Sequence, residues 1–215
     1  MLADQVRTRA KQYFDQVPPS HDWYHVERVT RLAVDLADFE NANTRVIEIS
    51  ALLHDIGRAR EDRGDINNHA EWGAREAGQI LAEFDLDDTF KEAVQHCIRS
   101  HRYSTSPAPE TLEAKVLSDA DNLDALGAVG IARTFAHSGE ENRVLADPDN
   151  LPEEDTTSAG RTGLNHLAKK ILSLKERMYT NTARLLASKR QEIVADFVNQ
   201  MRSEITGESF RDETH

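Results

Sequence analysis

Hydrophobic residues recur at helical spacing along most of the chain, and turn-forming residues separate the apolar runs. The first run, residues 2–16, ends at Pro18-Pro19, because proline cannot continue a helix. Ser20 is then expected to cap a second helix. The apolar face of that helix carries His25, Val29, Leu32 and Leu36 at i, i+4, i+7 and i+11. His25 therefore faces the core, where it is either simply buried or a ligand.

The third predicted helix, residues 44–56, is apolar on almost every side, as is typical of a buried helix. His54 and Asp55 interrupt its apolar run before Gly57 ends it. An ionised carboxylate in such a place is costly unless it is paired or bound to a metal. A single buried histidine is more often satisfied by a backbone carbonyl, however, so this pair indicates a metal site only if further ligands are found.

Three later helices also carry titratable residues in a first turn or on a face that should be buried. These helices begin near Asn68, Asp88 and Leu112. The titratable residues concerned are His69, His101, Asp121 and Asp124. Two carboxylates on one inner face are energetically expensive, so we expect them to have partners.

Strand-like alternation is nearly absent and no internal repeat is found, so the predicted fold class is all-α, a helical bundle. We expect a single domain over residues 1–215, with its core at about residues 20–135. An acidic, turn-rich segment at about residues 138–163 is predicted to be a flexible insertion or lid. Helices over about residues 164–206 close the chain.

Composition and charge narrow the class of protein. A chain of 215 residues with 39% hydrophobic and 30% charged residues fits a soluble globular domain. The formal net charge of −12 argues against partners such as nucleic acid or anionic lipid. No apolar run has the length of a membrane span, and the N-terminus lacks the pattern of a signal peptide. The single cysteine, Cys97, fits a reducing compartment, so we expect a cytoplasmic protein.

Four residues place a metal-binding atom on a helical face that is otherwise apolar. They are His25, His54, Asp55 and Asp121. Four such anomalies are harder to attribute to packing than one. Mixed imidazole and carboxylate ligands suit a six-coordinate divalent ion, such as Mn, Fe, Co, Ni or Mg, better than a structural zinc site built with cysteines. The sequence therefore predicts a divalent metal site.

The order of these residues, H…HD…D, resembles the HD-domain superfamily of metal-dependent phosphohydrolases. The segments His54-Asp55-Ile56-Gly57, His69-Ala70-Glu71, Ile98-Arg99-Ser100-His101 and Leu117–Gly127 are similar to its YpgQ/YedJ-like single-domain bacterial group. The resemblance covers roughly residues 20–204. It implies a helical bundle, a divalent metal held by the four residues, and hydrolysis of nucleoside triphosphates to monophosphate and pyrophosphate.

Six further residues are candidates for the same site. His69 and His101 resemble the extra histidines of two-metal HD proteins, or they contact substrate, so one ion or two are expected. Asp124 is a candidate for orienting a ligand or moving the proton of the water, with a hydrogen bond between helices as the alternative. Arg58, Lys115 and Arg102 are candidates for holding phosphates, although each can equally be a surface cation.

Several functions stay open at this point. The expected partner is a small phosphorylated substrate, most simply a nucleotide, and a homodimer is left open. A phosphomonoesterase or phosphodiesterase acting on nucleotides or sugar phosphates is a related alternative. A two-iron HD oxygenase and a non-catalytic nucleotide sensor are alternatives from other classes.

Overall fold

The computed structural model describes residues 1–15, 17–102 and 107–207. These residues form helices and no strands, which confirms the all-α fold class. The helices are α1 (Leu2–Lys11), α2 (Trp23–Glu40), α3 (Thr44–Leu53), α4 (Arg58–Asp62), α5 (His69–Ala82), α6 (Asp88–Ser100), α7 (Leu112–Asp124), α8 (Gly127–Glu140), α9 (Gly163–His166) and α10 (Asn181–Thr206). A π-helical turn follows α9 at Leu167–Ile171, and short 3₁₀ turns occur at Gln12–Phe14, Pro19–His21 and Leu174–Arg177. Across the described ranges, none of the helices is both long and apolar enough to cross a membrane.

Two compact units can be distinguished along the chain. The first comprises Met1–Asp121 together with Tyr179–Ala183. The second comprises Asn122–Met178 and the chain from Arg184 onward. The grouping of residues 1–215 into a single domain stays a prediction.

Helix α3 lies at the centre of the first unit, where it packs against α1, α2 and α6. Its apolar side chains are almost completely buried on every side, including Ile47, Ile49, Leu52 and Leu53. Burial of each such side chain stabilises the folded state by roughly 1.5–3 kcal/mol. The buried character that the sequence predicts for this helix is therefore confirmed, and its C-terminal end is held rigidly.

Side-chain caps determine where two helices of the first unit begin. Asp22 accepts a hydrogen bond from the His25 N–H at 3.0 Å and so starts α2 at Trp23. The predicted cap, Ser20, is wrong, because it lies in the preceding 3₁₀ turn. Asn68 accepts hydrogen bonds from two N–H groups of the first turn of α5, as the sequence predicts.

In the second unit, α8 packs against α9 and the π-helical turn. The segment predicted to be a lid starts within α8 and continues as turns around Asp155, which is 5% exposed. The Asp155 carboxylate accepts hydrogen bonds from Thr157, Arg161 and Asn165. Lys169 donates to the carbonyl oxygens of Asp155 and Thr157. The segment thus has defined internal contacts, and its movement as a lid stays a prediction.

Candidate metal centre

His54 and Asp55 lie in a tight turn between α3 and α4, not inside a helix as the sequence predicts. Helix α3 ends at Leu53. The His54 Nδ1 atom lies 2.7 Å from the carbonyl oxygen of Ala51, which in a continuing helix would accept from the Asp55 N–H. The histidine ring therefore replaces a backbone hydrogen bond at the helix end. The predicted extension of this helix to Ile56 is wrong for that reason.

The same contact fixes the tautomer of His54. A carbonyl oxygen can only accept, so the proton is on Nδ1 and the Nε2 lone pair is left for the interior. His101, which caps α6, makes an equivalent contact, with Nδ1 2.6 Å from the carbonyl oxygen of Ile98. The two helix ends thus present two imidazoles with Nδ1 held by a carbonyl oxygen and Nε2 directed inward.

Four histidine rings follow one another in space in the order His25, His54, His101 and His69. Neighbouring ring centroids are 5.3, 5.2 and 5.4 Å apart. His25 comes from the first turn of α2, and His69 from the first turn of α5. All four rings are at most 2% exposed.

The carboxylate of Asp55 lies between the two halves of this row. Its Oδ2 is 3.7 Å from His25 Nε2 and 3.8 Å from His54 Nε2. Its Oδ1 is 3.2 Å from His69 Nε2 and 3.7 Å from His101 Nε2. Each oxygen of Asp55 therefore faces one pair of histidines.

Asp121 completes the donor set on the side of His25. Its Oδ1 lies 3.5 Å from His25 Nε2, and its side chain is 28% exposed, whereas that of Asp55 is 6% exposed. Two groups of ligand atoms result, each with all its atoms within 4.8 Å of one another. They are His25, His54 and Asp121, and Asp55, His69 and His101.

These residues fit a divalent metal ion. Imidazoles with Nε2 directed inward are good ligands for Mn, Fe, Co, Ni or Zn, and carboxylate oxygens complement them. Moreover, the Nε2 atoms of His25 and His54 approach to 3.4 Å at a site that excludes water. Both nitrogens could coordinate a cation bound between them.

The charges at the centre are strongly coupled to one another. Burial by itself raises the pKa of Asp55, but the histidines around it, His54 first, hold that pKa well below its usual value. Burial opposes charge on His69 too, yet hydrogen bonds to Asp55 and Glu61 raise its pKa to about 9. Burial and the neighbouring histidines lower the pKa of His101 to about 4.

The three predicted phosphate-binding cations lie in different surroundings. Arg58 directly follows the turn, and its Nε donates to Asp62 at 3.0 Å. Burial works against its charge, but Asp55 and other nearby carboxylates raise its pKa further. The Nη1 of Arg102 donates to Glu61 at 3.1 Å. Lys115 is half-buried on α7, six positions before Asp121, which places it about 120° away around the helix.

Asp124 lies near the end of α7 and belongs to the second unit. Its carboxylate accepts a hydrogen bond from Arg133 Nη1 of α8 at 2.9 Å, and its side chain is 2% exposed. This contact matches the alternative that the sequence left open, a hydrogen bond between helices. The role of Asp124 in orienting a ligand or moving a proton stays a prediction.

Two important carboxylates escaped the sequence analysis. Glu61 lies in α4 and accepts from His69 Nδ1 at 2.5 Å. Asp119 is fully buried and accepts hydrogen bonds from Tyr179 and Thr180, each at 2.8 Å. The only signal for Asp119 was a carboxylate in an otherwise apolar helix, and no pattern marked Glu61.

The chain is similar to known proteins over the region that carries this site. A family model of the HD domain matches residues 22–126, a range that includes all six donors. YpgQ of Bacillus subtilis (strain 168) is 32% identical to this chain over 209 residues, which cover 95% of the chain and 94% of YpgQ.

Solved structures show the same similarity. The crystal structure of Bacillus subtilis YpgQ in complex with ADP matches with a TM-score of 0.74 at 32% identity, over 95% of this chain and 98% of that one. An HD-superfamily hydrolase from Bacillus thuringiensis matches with a TM-score of 0.73 at 33% identity, over 94% of this chain and 96% of that one. The similarity therefore extends over nearly the whole chain.

Proposed function

Because this chain belongs to the HD superfamily of metal-dependent phosphohydrolases, we propose that it hydrolyses nucleotides, with (deoxy)nucleoside triphosphates as its substrates and pyrophosphate as a product. In this reaction water adds to the α-phosphorus, the bond from that phosphorus to the bridging oxygen breaks, and one proton is released. The complex of the relative YpgQ with ADP supports a nucleotide as the ligand.

The observation that carries the proposal is the position of the Asp55 carboxylate between two pairs of histidines. With Asp121 the set offers four imidazoles and two carboxylates, and its two groups of three donors could each hold a divalent ion. A bound divalent ion lowers the pKa of a coordinated water towards neutrality and withdraws charge from a phosphoryl group.

The protein's own residues hold the metal ligands in position and keep water away from the histidines. His54 and His101 are locked in one tautomer by helix carbonyl groups, so little reorganisation is needed when they bind an ion. The four histidines are shielded from water, whereas Asp121 is 28% exposed, so we infer that substrate approaches from the side of Asp121. With a net charge of −12 overall, the phosphates must be met by local cations, and Arg58 beside the turn is the best placed of the three candidates.

The test is a substrate panel resolved by product. Purified protein is incubated with dNTPs, NTPs, nucleoside monophosphates, cyclic nucleotides and sugar phosphates, each with Mn, Co, Ni, Fe or Mg. Ion-exchange chromatography and ³¹P NMR then identify the products. We expect a nucleoside monophosphate and pyrophosphate in equal amounts. Release of orthophosphate alone would favour the phosphomonoesterase alternative, and opening of cyclic nucleotides would favour the phosphodiesterase.

A two-iron oxygenase is the second candidate, because four imidazoles and two carboxylates in two groups also suit two iron ions. Protein purified in air should then contain about two irons per chain and consume oxygen with a small polyol or phosphonate. Nucleotide turnover without oxygen consumption excludes this candidate. Tight nucleotide binding without turnover under any metal would instead indicate a sensor.

A further inference from the structure

Glu61 is a half-buried acidic partner of the candidate metal centre, in a helix of mostly charged residues. Its side chain is 18% exposed, while its neighbour Asp62 is 39% exposed. Its Oε2 lies 2.5 Å from Nδ1 of His69, and its Oε1 accepts from Nη1 of Arg102 at 3.1 Å. Glu61 is thus held at both oxygens.

His69 needs such a partner because of where it lies. His54 and His101 occupy the C-terminal ends of helices, where unpaired carbonyl oxygens accept from Nδ1. His69 is the first residue of α5, and a helix start offers N–H donors instead of carbonyl acceptors. An acceptor for its Nδ1 must therefore come from another element, and α4 supplies the carboxylate of Glu61.

This contact determines which nitrogen of His69 is available. Arg102 donates to one oxygen of this carboxylate and the other accepts from His69, so His69 Nδ1 carries the proton and donates it. Its Nε2 is then directed at Oδ1 of Asp55, 3.2 Å away. Carboxylate–histidine pairs of this kind orient metal-binding histidines and increase their basicity.

Arg102 extends the arrangement to the neighbouring histidine. It directly follows His101 in the chain, and its guanidinium group holds the second oxygen of Glu61. Glu61 is therefore connected to both histidines that face Oδ1 of Asp55.

We propose that Glu61 is a positioning residue for one half of the centre, orienting His69 so that the ion bound by Asp55, His69 and His101 is held tightly. The inference rests on the proposed two-ion centre and assigns one carboxylate to one of its two sites. Glu61 does not touch the substrate in this proposal.

The test is metal binding, measured without any turnover. Metal-free protein is titrated with Mn²⁺ by isothermal calorimetry, and bound metal is counted by mass spectrometry after gel filtration. We expect wild type to bind two ions per chain, with Glu61→Ala weakening one of them about 10–100-fold and leaving the other unchanged. Glu61→Gln, which keeps an acceptor oxygen, should lose less. Glu71→Gln is the matched control. Glu71 lies on α5, as His69 does, and it also accepts from an arginine, Arg99, at 3.0 Å.

A double-mutant cycle tests the route through His69. If Glu61 acts through that ring, Glu61→Ala should weaken Mn²⁺ binding much less in a His69→Ala background than in wild type. An equal loss in both backgrounds, or wild-type binding by Glu61→Ala, would overturn the inference while leaving the two-ion centre intact. A wild-type protein that binds fewer than two ions would overturn the two-ion centre itself. Circular dichroism of each variant identifies any that fail to fold.

Discussion

Asp55 differs from the other buried carboxylates because each of its two oxygens faces a different pair of histidines. Oδ2 faces His25 and His54, and Oδ1 faces His69 and His101. A buried carboxylate surrounded by imidazoles is stable when cations or protons balance its charge. The sequence predicted that Asp55 needs a partner. Which oxygen faces which histidines, however, depends on side chains from four separate elements.

Asp55→Asn should remove most of the activity and most of the metal binding. The amide cannot supply a charged oxygen to both groups of donors, so we expect turnover to fall by at least roughly 100-fold, more than for loss of an indirect partner. Calorimetry with Mn²⁺ and a steady-state assay measure the two effects. Asp88→Asn removes a carboxylate that is 92% exposed and should change neither. Wild-type Mn²⁺ affinity in Asp55→Asn would contradict the assignment.

Gly57 permits the close approach of the turn to helix α5. A Cβ atom on Gly57 would lie 2.6 Å from the carbonyl oxygen of His69 and 3.1 Å from its Cα. Backbone atoms cannot yield as easily as the end of a flexible side chain. The glycine is thus needed for packing, whereas the helix that the sequence predicted it would end already ends at Leu53.

Gly57→Ala should therefore displace His69 and destabilise the fold. Overpacking of this kind costs about 1–3 kcal/mol, and we expect Mn²⁺ binding to weaken as well. Urea unfolding and calorimetry measure the two effects. Gly139→Ala is the control, because nothing lies within 4 Å of the added methyl group and the helix favours alanine. Equal behaviour of the two variants would show that the close contact has no energetic consequence.

At the scale of elements, helix ends assemble the candidate site. Two of its histidines follow the last residues of α3 and α6, and two lie in the first turns of α2 and α5. Helix α7 contributes two carboxylates to the first unit, and the two make different contacts. Asp121 faces His25, while Asp119 accepts three hydrogen bonds from residues 179–180, just before α10. The sequence showed acidic residues in α7 but could not assign Asp119, because its partners lie about 60 residues away.

Asp119→Asn should destabilise the fold without abolishing metal binding. Two N–H groups would lose a charged acceptor in a buried place, which costs roughly 1.5–3 kcal/mol for each bond to a charged group. Chemical denaturation measures the loss, and Mn²⁺ titration at low denaturant measures binding. Asp196→Asn, on an exposed position of α10, is the control. An unchanged unfolding midpoint would show that Asp119 has no anchoring role.

At the scale of the whole molecule, buried titratable groups couple stability to pH. His166 is 9% exposed, and burial, followed by the charge of Lys170, lowers its pKa to about 4. The unfolded chain has a histidine pKa of about 6.5. The folded state therefore binds fewer protons than the unfolded state between these two values.

Stability should thus fall as the pH drops from 6.5 to 4. A folded pKa below the unfolded one contributes stability that is present above pH 6.5 and lost by pH 4, up to about 3 kcal/mol for a shift of this size. Urea unfolding of wild type and His166→Gln over this range, with chelator present throughout, isolates the effect as a difference. The variant should show a shallower dependence on pH, and identical curves would contradict the assignment to His166.

The sequence by itself determined the all-α class, the starts of several helices and the need of several buried polar residues for partners. Periodicity and local capping are encoded over a few residues, so they can be read without the fold. The tertiary structure decided which partners meet: Glu61 with His69, Asp119 with Thr180, and each oxygen of Asp55 with its own histidines. These contacts join residues far apart in the chain, and only the packing of the helices sets their distances and directions.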